Sequence, residues 1–587
     1  MKELEAPLAR TQTDCVTCID TRMLQIGCWI VLIAVAMIRA WFTRYELTAD
    51  SMSYLDIARA VAEGQPYWAI NGHWSPGYPV LISLFLRLFR PNAYWEFPLV
   101  HAINLLIFAG TLACFQMYWQ EVLQWHRNYS AGRGAAIPED AFWALGYAVF
   151  GVAILNIITL GLVGPDLLAS AFACLAGWSA LRFRRVPGYG RALSLGFVLA
   201  LGYYAKAPFF PLAAVFIACA CWQRPVSRRM ILLGGVVTTA FLLVCAPLVT
   251  ALSRASGRLT FGDSARINYA MVIDGVQYFR HWQGGPPGSG MPLHPTRKLS
   301  DYPEIYEFAD KHMGTYPPWF SPGYWYEGIT PHFILKRQVI VFVRNLVLTF
   351  EIILESGSVL VCVVIILALL PGHRRRWIDS FCRLWFVWAP GIAALTMYAL
   401  ILVEPRYLGG WLIMLFAGMI CASVFPPDAS TLRAVRCIGT AALFMVGASA
   451  ILQTSREAVG IDHAEGRSSE DATIATGLLQ NGFHSGDRIA VIGDGTGAYW
   501  AHLAHLQIIA EIPGSSASRQ GLPAMDFWES GPDSQRRALD ILQGTGAKAV
   551  IAGAIPSLVN SIPSRVPGGW RRIDATPAYV YFFHADR

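Results

Sequence analysis

Eleven times along this chain a run of roughly 20 largely apolar residues recurs, near 23–42, 98–120, 142–160, 166–183, 189–205, 207–222, 230–252, 354–371, 384–402, 407–425 and 434–452. A hydrocarbon layer about 30 Å thick takes roughly 20 apolar residues per crossing helix. Each crossing segment must also pair its own backbone groups. These runs specify a polytopic α-helical membrane protein. Only 14% of the residues are charged, against about 25% in a soluble chain, so a wholly soluble fold is excluded.

The first run follows Lys2, Arg10 and Arg22 but lacks a small-x-small cleavage pattern. It is expected to stay as a helix behind a cytoplasmic tail, residues 1–22. With the N-terminus inside, the inward loops hold Arg127 and Arg133, then Arg182, Arg184, Arg185 and Arg191, then Arg224, Arg228 and Arg229, then Arg374–Arg376 and Arg383, then Arg433 and Arg436. The short outward loops hold only Lys206 and Arg406. That asymmetry sets the orientation, and an odd number of spans puts the C-terminus outside. A bacterial inner membrane with a periplasmic C-terminal domain is the expected location. The net charge of +7 is accounted for by these arginines, so no nucleic-acid partner is expected.

The twelve cysteines lie in the spans and on the inward side, none after Cys437, so no disulfide framework is expected. Cys15-x-x-Cys18 offers two of the four ligands a structural zinc takes, and reads as two thiols.

Within a membrane domain of residues 23–452, the outward side receives loops 43–97 and 253–353. Two stretches, 78–90 and 332–356, carry charges through an apolar background and are expected to lie along the membrane surface. From 453 to 587 the pattern changes: RIAVIGD, QIIAEIP, AKAVIAG and AYVYFFH alternate with helical stretches such as 523–543. This reads as a soluble α/β domain with a mostly parallel sheet. Gly493-x-Gly495-x-Gly497 follows a strand there, and could present N–H groups to a phosphate or serve only as a tight turn.

The candidate site residues lie on outward tips. Asp50 follows the first span, where a carboxylate needs partners or a task; it could equally cap the helix beginning at Ser51–Tyr54. Asp166, after Pro165, suits a helix start as well as a site. Lys206 is the lone cation of GYYAKAPFF, free to snorkel, and Glu404 and Arg406 in LVEPRYLGG could pair with each other. Cations at such a surface suit a lipid phosphate, and a carboxylate nearby suits a general base. The loop segments QYFRHWQGGPPGSGMP and TYPPWFSPGYWYEG add rings that could pack on sugars or mark the membrane boundary.

Together, Asp50-x-x-x-Tyr54-x-x-x-Ala58, NGHWSPGYPVL (71–81), GPDLLASAF (164–172), YAKAPFFPLA (204–213) and EPRYL (404–408) resemble the GT-C superfamily of integral-membrane glycosyltransferases. That group includes protein O-mannosyltransferases and lipid A aminoarabinose transferases. The resemblance covers roughly residues 20–450, and the tail is similar to the extracytoplasmic domain many members append. It implies that Asp50 is the catalytic carboxylate and Asp166 the second acidic position. Lys206 and Arg406 would hold the polyprenyl phosphate of a sugar donor. Tyr54, His73, Trp74, Glu404 and Tyr407, with Tyr324 and Trp325 of the aromatic loop, are the candidate substrate contacts. In one respect the chain departs from the pattern: Asp166 stands alone where several members carry a paired or Glu-containing motif.

The expected function is an inverting, metal-free transfer of a sugar from a polyprenyl-phosphate donor to an unidentified protein, lipid or glycan acceptor. A divalent ion on Asp50 and Asp166 is the alternative chemistry. A secondary transporter and a non-catalytic scaffold are the alternative functions; charges crowded toward one surface disfavour transport, which places them near the midplane.

Overall fold

The computed structural model describes residues 20–223, 227–276, 280–284, 290–308, 314–370, 374–459, 469–514, 525–553 and 568–583. Cys15 and Cys18 lie outside them.

Apolar periodicity and length build the helical body: α1 (Thr21–Phe42), α2 (Ala49–Ala62), α3 (Gly77–Phe89), α4 (Ala93–Ser130), α5 (Glu139–Phe150), α6 (Asp166–Arg185), α7 (Tyr189–Ala205), α8 (Phe209–Cys221) and α9 (Arg228–Ser256). After the short α10 (Ser264–Val272), α11 (Pro317–Phe320) and α12 (Pro322–Trp325) come α13 (Leu335–Leu369), α14 (Arg374–Arg383), α15 (Trp385–Ala399), α16 (Pro405–Cys421) and α17 (Ala429–Val459). All eleven apolar runs fall on helices. By length and composition, six helices among the described residues can each cross a membrane: α1, α4, α5 with its π-helical extension Gly151–Ile158, α9, α13 and α17. The α14–α15 pair, bent by 76°, would make a seventh. Helices α8 and α16 are apolar but shorter; eleven crossings are therefore more than helix length alone establishes.

One expectation is corrected. Residues 332–356 do not form a separate surface helix: α13 runs 35 residues through them into the next apolar run, with a kink at Gly357. Of the charges that suggested an interfacial helix, Lys336, Arg337 and Arg344 lie in its first half and Glu351 and Glu355 near its middle, and the helix still contains a stretch long and apolar enough to cross. Helix α3 is one-sided, burying Tyr78, Ile82 and Leu86 while leaving Leu84, Leu88 and Phe89 exposed.

A buried ionisable group ties the bundle together at depth. Arg39, 1% exposed, donates to Thr454 Oγ1 at 2.8 Å and to the Leu155 carbonyl, and stands 3.5 Å from Glu457. It thus links α1 to α17 and to the π-helical segment, each donor satisfied as a low-dielectric interior requires.

The tail adds α18 (Glu470–Gln480), α19 (Tyr499–Leu503), α20 (Met525–Glu529) and α21 (Pro532–Gly544) around a seven-stranded sheet. The strands are β1 (Arg297–Asp301), β2 (Glu304–Glu307), β3 (Arg488–Ile492), β4 (Gln507–Ile512), β5 (Ala549–Ala552), β6 (Trp570–Arg572) and β7 (Tyr579–Phe582), in the order β1-β2-β4-β3-β5-β7-β6. All four β-rich runs are strands. The sheet is mixed, however, not mostly parallel: only β3 pairs in parallel, with β4 and β5. Both outer pairs are antiparallel hairpins, and β1 and β2 come from loop 253–353, which the sequence assigned to the membrane domain. β2 is only four residues long, and its two buried residues are adjacent rather than alternating, so it has no period-2 pattern to read as a strand.

Candidate active site

Four helix ends converge where the sheet domain meets the bundle. Gly410 on α16 lies against Ser170 on α6, where a Cβ would come within 2.8 Å of the serine Oγ. One turn earlier on each helix stand Arg406 and Asp166, so this close approach sets both at one level. Gly77 opens α3 against the end of α7, where a Cβ would sit 2.8 Å from the Tyr204 carbonyl oxygen. That contact brings His73 and Trp74 beside Lys206, which ends α7.

Asp50 is not the helix cap. Thr48 caps α2 through a reciprocal bond with Ser51, and the Asp50 carboxylate is left to reach across. Arg406 donates to Asp50 Oδ2 at 2.7 Å and to Glu404 Oε2 at 2.6 Å, while Trp319 Nε1 donates to Asp50 Oδ1 at 3.2 Å. Lys206 Nζ donates to Asp166, which is 3% exposed, and lies 3.9 Å from the centroid of the Tyr407 ring. The tips named from the sequence therefore meet as two carboxylate–cation pairs joined by Tyr407.

A cavity of about 530 Å³ lies beneath them. Nine of the eleven candidates line it: Asp50, Tyr54, His73, Trp74, Asp166, Lys206, Glu404, Arg406 and Tyr407. The rest of its lining is largely apolar, including Phe261, Met271, Met397 and Leu402. Burial holds the His73 imidazole at about 4, against the pull of Asp50 and Asp263. It is therefore neutral at pH 7, and its Nδ1 is buried with no hydrogen-bond partner among the described residues.

Tyr324 and Trp325 do not line this cavity. Tyr324 stacks on His294 at 4.1 Å, and Trp325 is buried with its indole N–H on the Pro317 carbonyl. The same loop instead presents Trp319 and Tyr326. The proline-broken turns of α11 and α12 decide which rings face inward, and spacing alone does not show it. Arg280, also missed, lines the cavity and pairs with Asp494 at 2.9 Å; the sequence signal was its place between aromatics in QYFRHW.

A second cavity, about 1230 Å³, opens between the sheet domain and the bundle. It shares five residues with the first, Asp50, Arg280, Trp319, Glu404 and Arg406, which form the wall between the two. Its other ionisable side chains are mostly acidic: Asp301, Glu304, Asp494 and Asp526. Thr159, on its rim, holds φ 63° and ψ 156°, a conformation nearly confined to glycine.

The glycine turn is occupied by protein carboxylates. Gly495 N donates to Glu511 Oε2 at 3.2 Å and Thr496 N to Asp494 Oδ1 at 2.9 Å, so two of the N–H groups a phosphate would use are already paired. No group of three or more His, Cys, Asp or Glu side chains placed to hold a metal occurs among the described residues.

No protein-family description matches the chain, and no curated protein matches it. Solved structures do. ArnT from Cupriavidus metallidurans bound to undecaprenyl phosphate is 11% identical, with a TM-score of 0.51 over 94% of this chain and 97% of that one. ArnT from the same organism in the apo state is 10% identical, TM-score 0.49, over 95% and 98%. An Archaeoglobus fulgidus oligosaccharyltransferase tethered to an acceptor peptide is 12% identical, TM-score 0.46, over 91% and 70%. At such identity the first of these likenesses speaks to architecture, and over nearly the whole of both chains it does so plainly: this chain shares the fold of that ArnT structure.

Proposed function

We propose that the protein is a glycosyltransferase that moves a sugar from a polyprenyl-phosphate carrier to an acceptor at the membrane surface. The observation that carries this reading is the wall of Asp50, Glu404, Arg406 and Trp319 between a largely apolar-lined cavity and one whose other ionisable side chains are mostly acidic. A lipid-linked donor fits the first cavity, with its phosphate toward Lys206 and Arg406; an acceptor rich in hydroxyl or cationic groups fits the second. The ArnT structure that shares this fold was solved with undecaprenyl phosphate, which agrees with such a donor. The arginine-poor short loops at this end support placing it on the outer side of a bacterial inner membrane, with the N-terminus in the cytoplasm.

In the reaction, the acceptor hydroxyl gives its proton to Asp50 as its oxygen bonds to the sugar's anomeric carbon. The bond from that carbon to the phosphate oxygen breaks, and the electron pair leaves with polyprenyl phosphate, inverting the centre. Lys206 and Arg406 offset the charge that develops on the leaving group. Before donor binds, Arg406 is held by Asp50 and Glu404, which keeps Asp50 Oδ2 engaged with the guanidinium. An arriving phosphate competes for the same guanidinium and frees Asp50 Oδ2, so base activation follows donor binding. His73, neutral and with an Nδ1 that has no partner among the described residues, contacts a sugar hydroxyl. This scheme needs no metal; Asp50 and Asp166 are the carboxylates that a divalent ion would use in the alternative chemistry.

The experiment is Asp50→Asn with a polyprenyl-phosphate sugar in membranes. Consumption of the lipid-linked sugar should fall at least about 100-fold, the lower range for loss of a general base. Consumption within a few-fold of wild type would remove Asp50 from the chemistry, and sugar crossing the membrane without being transferred would favour transport.

A further inference from the structure

The sheet domain reaches into the bundle at one buried point. His502 on α19 is 1% exposed, its Nδ1 2.6 Å from Asp56 Oδ1 on α2 and its Nε2 2.8 Å from Glu96 Oε1 on α4. With a carboxylate on each ring nitrogen, the imidazolium is the form that donates to both. Arg59 donates to both Glu96 oxygens, at 2.7 and 2.6 Å, and to the His502 carbonyl. The cluster thus holds two cations and two anions. Phe97 stacks alongside, and His505 is a further titratable neighbour, with Glu63, Arg87 and Arg90 beyond Arg59 and Glu96.

Asp56 does more than receive His502. Thr315 donates to it twice, from its amide at 2.7 Å and its hydroxyl at 2.8 Å. Thr315 leads through Tyr316 into α11, which carries Trp319 onto Asp50, and Asp50 itself lies in the first turn of the helix that bears Asp56. Both partners in the Asp50–Trp319 contact therefore depend on one carboxylate that the sheet domain holds by its histidine.

We propose that His502 is a positioning residue for the transfer site, clamping Asp56 so that α2 and the 314–320 segment present Asp50 and Trp319 to each other. Attraction to Glu96 and the bonds to Asp56 and Glu96 outweigh burial and the Arg59 charge and raise the His502 imidazole above its ordinary 6.5. A raised folded value means that the clamp is complete below about 6.5 and weakens as pH rises through the higher value. Arg59 and Glu96 line a cavity of about 470 Å³ together with His505 and Arg90, which gives protons a path to the cluster.

The clamp itself is tested by amide exchange, which needs no substrate; its catalytic consequence rests on the transfer reading. In full-length protein in nanodiscs, the Thr315 amide should be protected at pH 6. After correction for the intrinsic rate, that protection should fall at pH 9. In His502→Gln, it should be at least about tenfold weaker at pH 6 and no longer vary with pH, while β3 amides keep theirs. Equal protection of Thr315 in both proteins, or no loss between pH 6 and 9 in the wild type, overturns the proposal; the wild-type titration decides it even if the variant fails to fold. With a lipid-linked sugar, kcat should drop about tenfold while KM for the donor stays within twofold, because Lys206 and Arg406 hold the phosphate from other helices. A raised KM with unchanged kcat overturns the positioning role. If wild type transfers no sugar, the transfer reading fails, and the exchange results still decide the clamp.

Discussion

Replacing Lys206 with Met strips the ammonium from a carboxylate that has almost no access to water. Asp166 is 3% exposed and the Lys206 side chain 17%. Breaking a buried pair from one side costs about 3–5 kcal/mol, and the partial exposure of the lysine places this pair near 3 kcal/mol. Adding Asp166→Asn leaves a neutral amide in the same place, for which a lost hydrogen bond costs about 1 kcal/mol. The contact of the ammonium with the Tyr407 ring is lost in both variants and does not alter the difference. Thermal unfolding in detergent should therefore show Lys206→Met well below wild type and Lys206→Met/Asp166→Asn recovering most of the gap, a coupling of about 2 kcal/mol. Binding should not recover with it. A charge-assisted contact to phosphate contributes about 1.5–3 kcal/mol, so both variants should bind polyprenyl phosphate about 10- to 100-fold more weakly. If the double variant is as unstable as the single one, the pair is not coupled as its geometry implies. If it binds the lipid phosphate as wild type does, Lys206 does not hold the phosphate.

Trp319→Phe keeps the ring but removes the N–H on Asp50, and should lower kcat about 2- to 10-fold, the equivalent of one hydrogen bond, with donor KM unchanged in steady-state kinetics. Thr159→Gly relieves a backbone conformation that costs about 1–3 kcal/mol in any other residue and should raise the unfolding temperature; a lower temperature would mean that the strain is not there. Tyr324→Ala, which lines neither cavity, should leave transfer within about twofold, since its ring packs on His294 and Trp325.

The helical body was legible because its signal is local: run length and apolar composition place all eleven segments on helices, and loop arginines mark one end as different. The charged tips were legible for the same reason, since Asp50, Asp166, Lys206, Glu404 and Arg406 are isolated ionisable residues beside apolar runs, where each needs a partner. What they pair with was not. Asp50 and Arg406 are 356 residues apart, and nothing local selects Arg406 over Glu404's own company or over the lipid. The His502–Asp56 contact spans 446 residues, and each of its members looks in sequence like an ordinary polar residue on a helix. β1 and β2 were hidden because their hairpin completes its hydrogen bonding only against β4 of a distant segment, and the choice of Trp319 over Tyr324 depends on two proline-started turns that no periodicity describes.

The proposed transfer requires a lipid phosphate resting between Lys206 and Arg406. A cryo-electron microscopy map of the protein in nanodiscs with added polyprenyl phosphate should show the phosphate within hydrogen-bond distance of both side chains, the Arg406–Asp50 contact opened, and the chain running along Phe261 and Met397. A phosphate bound elsewhere, with Arg406 still on Asp50, would contradict it.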